Sequence, residues 1–151
     1  MEEVALRAGV SRKTVYYQFG SKLGILDALL SDLEAAAELG QRVQLIMQKP
    51  ARHALAEYFR EVCLFWNRNQ AVMRVIIGLA ATDADARKVV EMHDGARRRR
   101  LESFVRILSG RGELAKGYPK SLAIDLMWLL SSFASYEHLV QRSHLSLARA
   151  A

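Results

Sequence analysis

A chain of 151 residues, 51% hydrophobic and 25% charged, is long enough to bury one globular core, with room for a second small module. Its single cysteine, Cys63, excludes an internal disulfide framework and suits a reducing cytoplasm, and two prolines favour helix. The net charge of +6 points to a polyanionic partner, whereas Glu2 and Glu3 after Met1 do not read as a signal peptide.

Residues 4–10 read as a first helix, with Val4, Ala5 and Ala8 at helical spacing for one buried face. Gly9 supplies the permissive backbone of a sharp turn, and Ser11 is positioned to cap the next helix. Val15 and Phe19, four apart, turn that second helix inward. Arg12, Lys13, Thr14, Tyr16, Tyr17 and Gln18 are left to point outward, a polar and aromatic face that suits a DNA major groove. Ser21 caps a third helix with a stripe of Leu23, Leu26, Leu29, Leu30 and Leu33, continuing through Ala35, Ala36 and Ala37 and bending near Gly40 to reach about Met47. Lys49-Pro50 breaks the chain.

Further on, the pattern predicts a helix over 51–68 with Leu55, Phe59, Val62, Cys63 and Trp66 on one side, a turn over 67–70, and a short helix over 71–81 carrying Val72, Val75, Ile76 and Leu79. Asp83 caps a long helix to about Ser109, in which Gly95 costs about 1 kcal/mol relative to Ala and allows a kink or close packing. A Gly-rich loop over 110–119 follows, and Pro119, near a first-turn position, starts a last helix over 120–144. No run alternates at period two, so the fold class is all-α; no repeat or low-complexity tract is present. The longest apolar stretch, 126–130, is bounded by Asp125, Ser131 and Ser132 and falls short of the ~20 residues of a membrane span.

The N-terminal segment carries a family resemblance. Ala8-Gly9-Val10-Ser11, Thr14-Val15-Tyr16, Phe19, Ser21-Lys22 and Ile25-Leu26 match, position by position, the helix-turn-helix pattern of tetracycline-repressor-type (TetR family) transcriptional regulators, over about a fifth of the chain. The remainder agrees in being helical and of suitable length. The resemblance implies a DNA-binding unit over 1–40 and a helical effector-binding and dimerisation domain over 41–151. It also implies one further helix before the segment that starts here. On that expectation Met1 is an internal start or the chain is truncated, and Val4, Ala8, Val15 and Phe19 have fewer partners. Family members often have one more helix after the last, whereas only 146–151 remain here, so the C-terminal end is also expected to be shortened.

Charge is unevenly spread. Up to Glu38 there are four basic and six acidic residues, a net −2, so the remainder carries +8; all four basic residues lie in the first 22 positions and four of the six acids follow Lys22. Overall basicity therefore supports DNA binding only weakly. The run 97–100, four arginines on a helix, points in nearly all directions and forms no flat patch. Its plain reading is a solvated helix paired locally with Glu91, Asp94 and Glu102; the sharper one is a contact to a partner subunit or anionic ligand.

No catalytic constellation is legible. His53, His93, His138 and His144 lack a second His or Cys at i+3 or i+4, and there is no phosphate-cradling loop or nucleophile elbow. The sequence predicts no cofactor and no metal, and an enzyme is the third reading. Cys63, between Val62 and Leu64, reads as a buried thiol.

The last helix is apolar nearly all round, which in a small protein calls for a second subunit; the resemblance implies the same two-fold dimer through C-terminal helices. It further implies a pocket for a small apolar effector. Phe59, Cys63, Trp66, Met73, Ile77, Met92, Phe104 and Trp128 are the expected wall, with Tyr136, Asn67 or Gln70 as possible polar groups. The leading expectation is a homodimeric, cytoplasmic transcriptional repressor released from its operator by a small hydrophobic effector. Ser11, Arg12, Lys13, Thr14, Tyr16, Tyr17 and Lys22 would face DNA. The alternative is an all-helical dimeric small-molecule-binding protein that no longer binds DNA.

Overall fold

A computed structural model describes residues 1–146 and Arg149. The expectation about the C-terminal end falls largely on Leu147, Ala148, Ala150 and Ala151, outside the described residues. The fold is all-α, as expected, with no strand among the described residues. In chain order the helices are α1 (Glu2–Arg7), α2 (Arg12–Phe19), α3 (Lys22–Ala36), α4 (Leu39–Ile46), α5 (Ala51–Thr82), α6 (Ala84–Gly110), α7 (Lys120–Leu130) and α8 (Phe133–Tyr136). The last passes into a π-helical stretch, Glu137–Arg142. No described helix is long and apolar enough to cross a membrane.

Helix starts follow local chemistry. Ser11, Ser21 and Asp83 are N-caps whose side-chain oxygens accept from backbone N–H groups two or three residues on: Thr14 at 3.0 Å, Gly24 at 3.1 Å, and Asp85 and Ala86 at 2.9 and 3.0 Å. Gly9 sits at φ +66°, where a side chain would be strained. Pro119 stands at the N-cap rather than inside the first turn.

Four expectations need correction. The predicted turn over 67–70 does not exist: α5 runs unbroken for 32 residues. Nothing there forces the backbone to turn. Asn69 donates to the Phe65 carbonyl and Gln70 to that of Asn67, while Phe65 and Met73, one on each side of the stretch, are both buried. The face predicted for 71–81 is also rotated, because Met73, Ile76 and Ala80 are buried whereas Val72, Val75 and Leu79 are exposed. The bend after α3 falls at Glu38, in the left-handed region at φ +50°, and Gly40 lies inside α4. That redirection puts Val43, Ile46 and Met47 into the core.

The predicted single helix over 120–144 is cut at Ser131 and Ser132. Side chains take over the carbonyls that a continuous helix would use. Arg97 donates to the Trp128 carbonyl (2.9 Å), Ser135 to that of Leu129 (2.7 Å) and Trp66 to that of Ser131 (3.0 Å); the Ser132 hydroxyl then caps α8.

α5 and α6 fold back on each other at Asp83 and make the largest seam. One core joins α4, the first half of α5, the second half of α6 and α7 around Tyr58, Leu101, Phe104 and Leu108. The other joins α3, the second half of α5, the start of α6 and α8 around Leu30, Ile76, Phe133 and Tyr136. Trp66 packs against both. Gly95 introduces no break in α6, and a Cβ there would meet only the flexible Arg99 guanidinium at 3.6 Å. Gly95→Ala should therefore stabilise the fold by about 1 kcal/mol; an unchanged or lower midpoint in urea unfolding would contradict this.

Candidate nucleic-acid interface and the pocket behind it

α2 presents an open polar face. Ser11, Arg12, Lys13, Thr14, Tyr16, Tyr17 and Lys22 are all exposed, and Tyr17 is 91% exposed, while Val15 at 3% anchors the helix with Ala5 of α1. The Ser11 and Thr14 hydroxyls bond each other at 2.8 Å as part of the cap. The Arg12 guanidinium lies over the Tyr16 ring, 5.4 Å from its centre. Hydrogen bonding and the charge of Tyr16, then the charge of Glu2, raise its pKa above the ordinary arginine value. Lys22 stands at the capped N-terminus of α3, a place that favours anions. Val4, Val10 and Phe19 are 42%, 43% and 36% exposed, so of the apolar positions in α1 and α2 and the turn between them only Ala5 and Val15 are buried. A Cβ at Gly24 would lie 1.9 Å from the Phe19 carbonyl oxygen, which shows how tightly the α2–α3 turn closes.

Two of the three acids on α3, Asp27 and Glu34, are held by side chains of α6. His93 Nε2 lies 2.7 Å from Asp27 Oδ1, and its Nδ1 lies 3.5 Å from Glu34 Oε1. Arg100 reaches Glu34 at 3.2 Å. Sequence reading treated His93 as isolated; the available signal was the seven-residue spacing of Asp27 and Glu34, which puts both on one side of α3.

Beneath this clasp lies a cavity of about 80 Å³ lined by Leu30 and Glu34 of α3, Trp66 and Met73 of α5, and His93 and Arg97 of α6. It shares Trp66, Met73 and Arg97 with an open cleft of about 360 Å³ toward α7 and α8. Trp66, Met73, Ile77 and Trp128 of the expected wall line that cleft, together with Val90, Leu129 and Phe133, which were not among the expected wall residues. The other four are elsewhere. Phe104 is fully enclosed in the core, Phe59 packs against the same core, and Met92 is 53% exposed. Cys63 is buried, and burial pushes its thiol pKa up. Of the candidate polar groups, Tyr136 donates to Asn67 at 2.9 Å and Gln70 to the backbone, so neither is held out toward the cleft.

The arginine run divides as its helical spacing requires. Arg97, with its side chain 14% exposed, grips Asp94 at 2.7 and 3.0 Å, the Ser131 hydroxyl at 2.6 Å and the Trp128 carbonyl. Arg98 turns to Asp125 at 2.6 Å, and both it and Arg97 flank the Trp128 ring.

Residues 1–29 match the family described as bacterial regulatory proteins, tetR family. No curated protein and no solved structure matches the chain. The matched segment covers α1, α2 and the first half of α3, the part that carries the exposed polar face of α2, and it supports a DNA-binding transcriptional regulator.

Proposed function

We propose that the chain acts in the cytoplasm as a homodimeric transcriptional repressor whose hold on its operator is released by a small hydrophobic molecule. The observation that carries this reading is the capped, exposed polar face of α2 on a segment that matches the tetR family. In this reading Arg12, Thr14 and Tyr17 approach base edges or adjacent phosphates, and Lys22 with the α3 N-terminus holds a phosphate. The effector occupies the cleft of Trp66, Met73, Ile77 and Trp128, whose volume falls within the range of small-molecule sites. Because α3 is fastened to α6 through Asp27, Glu34, His93 and Arg100, a ligand that moves α6 moves the reader.

Lys22→Ala should weaken DNA binding on every sequence and reduce the slope of log affinity against log salt by about 1. Unchanged affinity and slope in a mobility-shift titration on the DNA flanking its own gene would overturn the assignment. The exposure of Val4, Val10 and Phe19 favours a second reading, a dimeric small-molecule-binding protein without DNA affinity. Absence of any shift by the intact chain, with retained thermal stabilisation by apolar compounds, selects that reading.

A further inference from the structure

α4 packs on α5, and a groove of about 540 Å³ runs between α4 and α6. Val43 and Met47, members of the core, and the exposed Ile107 give it an apolar strip beside Gln44 and Ser103. Its charge is one-sided. Arg100 is paired with Glu34, whereas Arg99, on the rim, is exposed and makes no ion pair among the described residues. Arg106, seven positions on and so on nearly the same side of α6, is exposed and without an ion pair among the described residues as well. No carboxylate lines the groove.

A guanidinium beside an apolar channel recognises one chemistry. A carboxylate head forms two parallel N–H···O bonds with arginine, and an attached hydrocarbon tail gains by covering Ile107 and the edges of Val43 and Met47 that reach the groove. A neutral tail lacks the ionic contact, and a cationic one is repelled. We propose that the α4–α6 groove is a binding site for a small amphipathic carboxylate, its head on Arg99 and its tail on Val43, Met47 and Ile107. This site is separate from the tryptophan-lined cleft and does not depend on DNA binding. Occupancy would bridge α4, the helix after the Glu38 bend, to α6.

The test titrates decanoate and decan-1-ol into the intact protein by calorimetry, with methyl NMR of Met47 and indole NMR of Trp66 and Trp128 as position markers. Decanoate should bind about ten-fold more tightly than decanol and shift Met47 rather than the indoles. Arg99→Gln should remove that preference, and Arg98→Gln, whose side chain faces Asp125, should leave it intact. Equal affinity for the two compounds, an unaltered preference in Arg99→Gln, shifts at the indoles alone, or no binding at millimolar decanoate each overturn the proposal.

Discussion

Arg97→Ala should lower the unfolding free energy by about 3 kcal/mol, whereas Arg98→Ala, its neighbour, should cost less than about 1 kcal/mol. The two residues are identical in type and adjacent in sequence, and their surroundings differ. Arg97 lies at the junction of α6, α7 and α8 and replaces helix bonds that the break at Ser131 has removed. Without it the Trp128 carbonyl loses its donor, Asp94 loses its cation and Trp128 loses one flanking guanidinium. Arg98 and its partner Asp125 are 38% and 55% exposed, so water replaces what the pair loses. Urea unfolding followed by far-ultraviolet circular dichroism gives both numbers. Equal losses for the two variants would show that the α7–α8 corner does not rest on Arg97.

Leu126→Asp should turn a dimer into a folded monomer. Leu122, Leu126, Leu129 and Leu130 are 42%, 38%, 56% and 51% exposed, and their spacing puts them on one side of α7. Two such stripes related by a two-fold axis cover each other, whereas two aspartates brought together there repel. Because the position faces solvent in one chain, the substitution costs the single chain little, and helix content should persist. A DNA-reading dimer split in this way loses its second half-site, so operator affinity should fall by about a hundred-fold or more. Sedimentation velocity at micromolar concentration decides the matter. A monomeric intact chain, or a dimeric Leu126→Asp variant, would remove the dimer reading.

Much of the reader was legible beforehand, because its signals are local. A cap joins a side chain to an amide two or three residues on, and the Ser11, Ser21 and Asp83 caps all formed where the residues stand. The turn at Gly9 and the inward Val15 follow from backbone freedom and helical period in the same way. Phe19 did not follow, since the period gives its direction and only a neighbour can cover it; it remains 36% exposed.

Half of the residues expected to line a pocket do line one cleft. Trp66, Met73, Ile77 and Trp128 share a cleft, but Phe104 is as aromatic as they are and lies in solid core. Hydrophobicity selects residues that leave water and does not separate packing from lining. Helix continuity behaved similarly: four polar residues at 67–70 looked like a turn, yet packing at Phe65 and Met73 carried the helix through, and the apolar 120–144 looked continuous yet broke where Arg97, Trp66 and Ser135 took its carbonyls.

By itself the sequence determined the all-α class, the helix-turn-helix, its caps and its outward polar face, since these depend on atoms within one or two helical turns. Only the tertiary structure decided that Asp27 and Glu34 of α3 meet His93 and Arg100, that one arginine of four is turned into the junction of α6, α7 and α8, and that Trp66 joins two cores. Each of those pairs residues more than thirty positions apart or sets burial by what lies opposite, and helical period carries no information about which helix that will be.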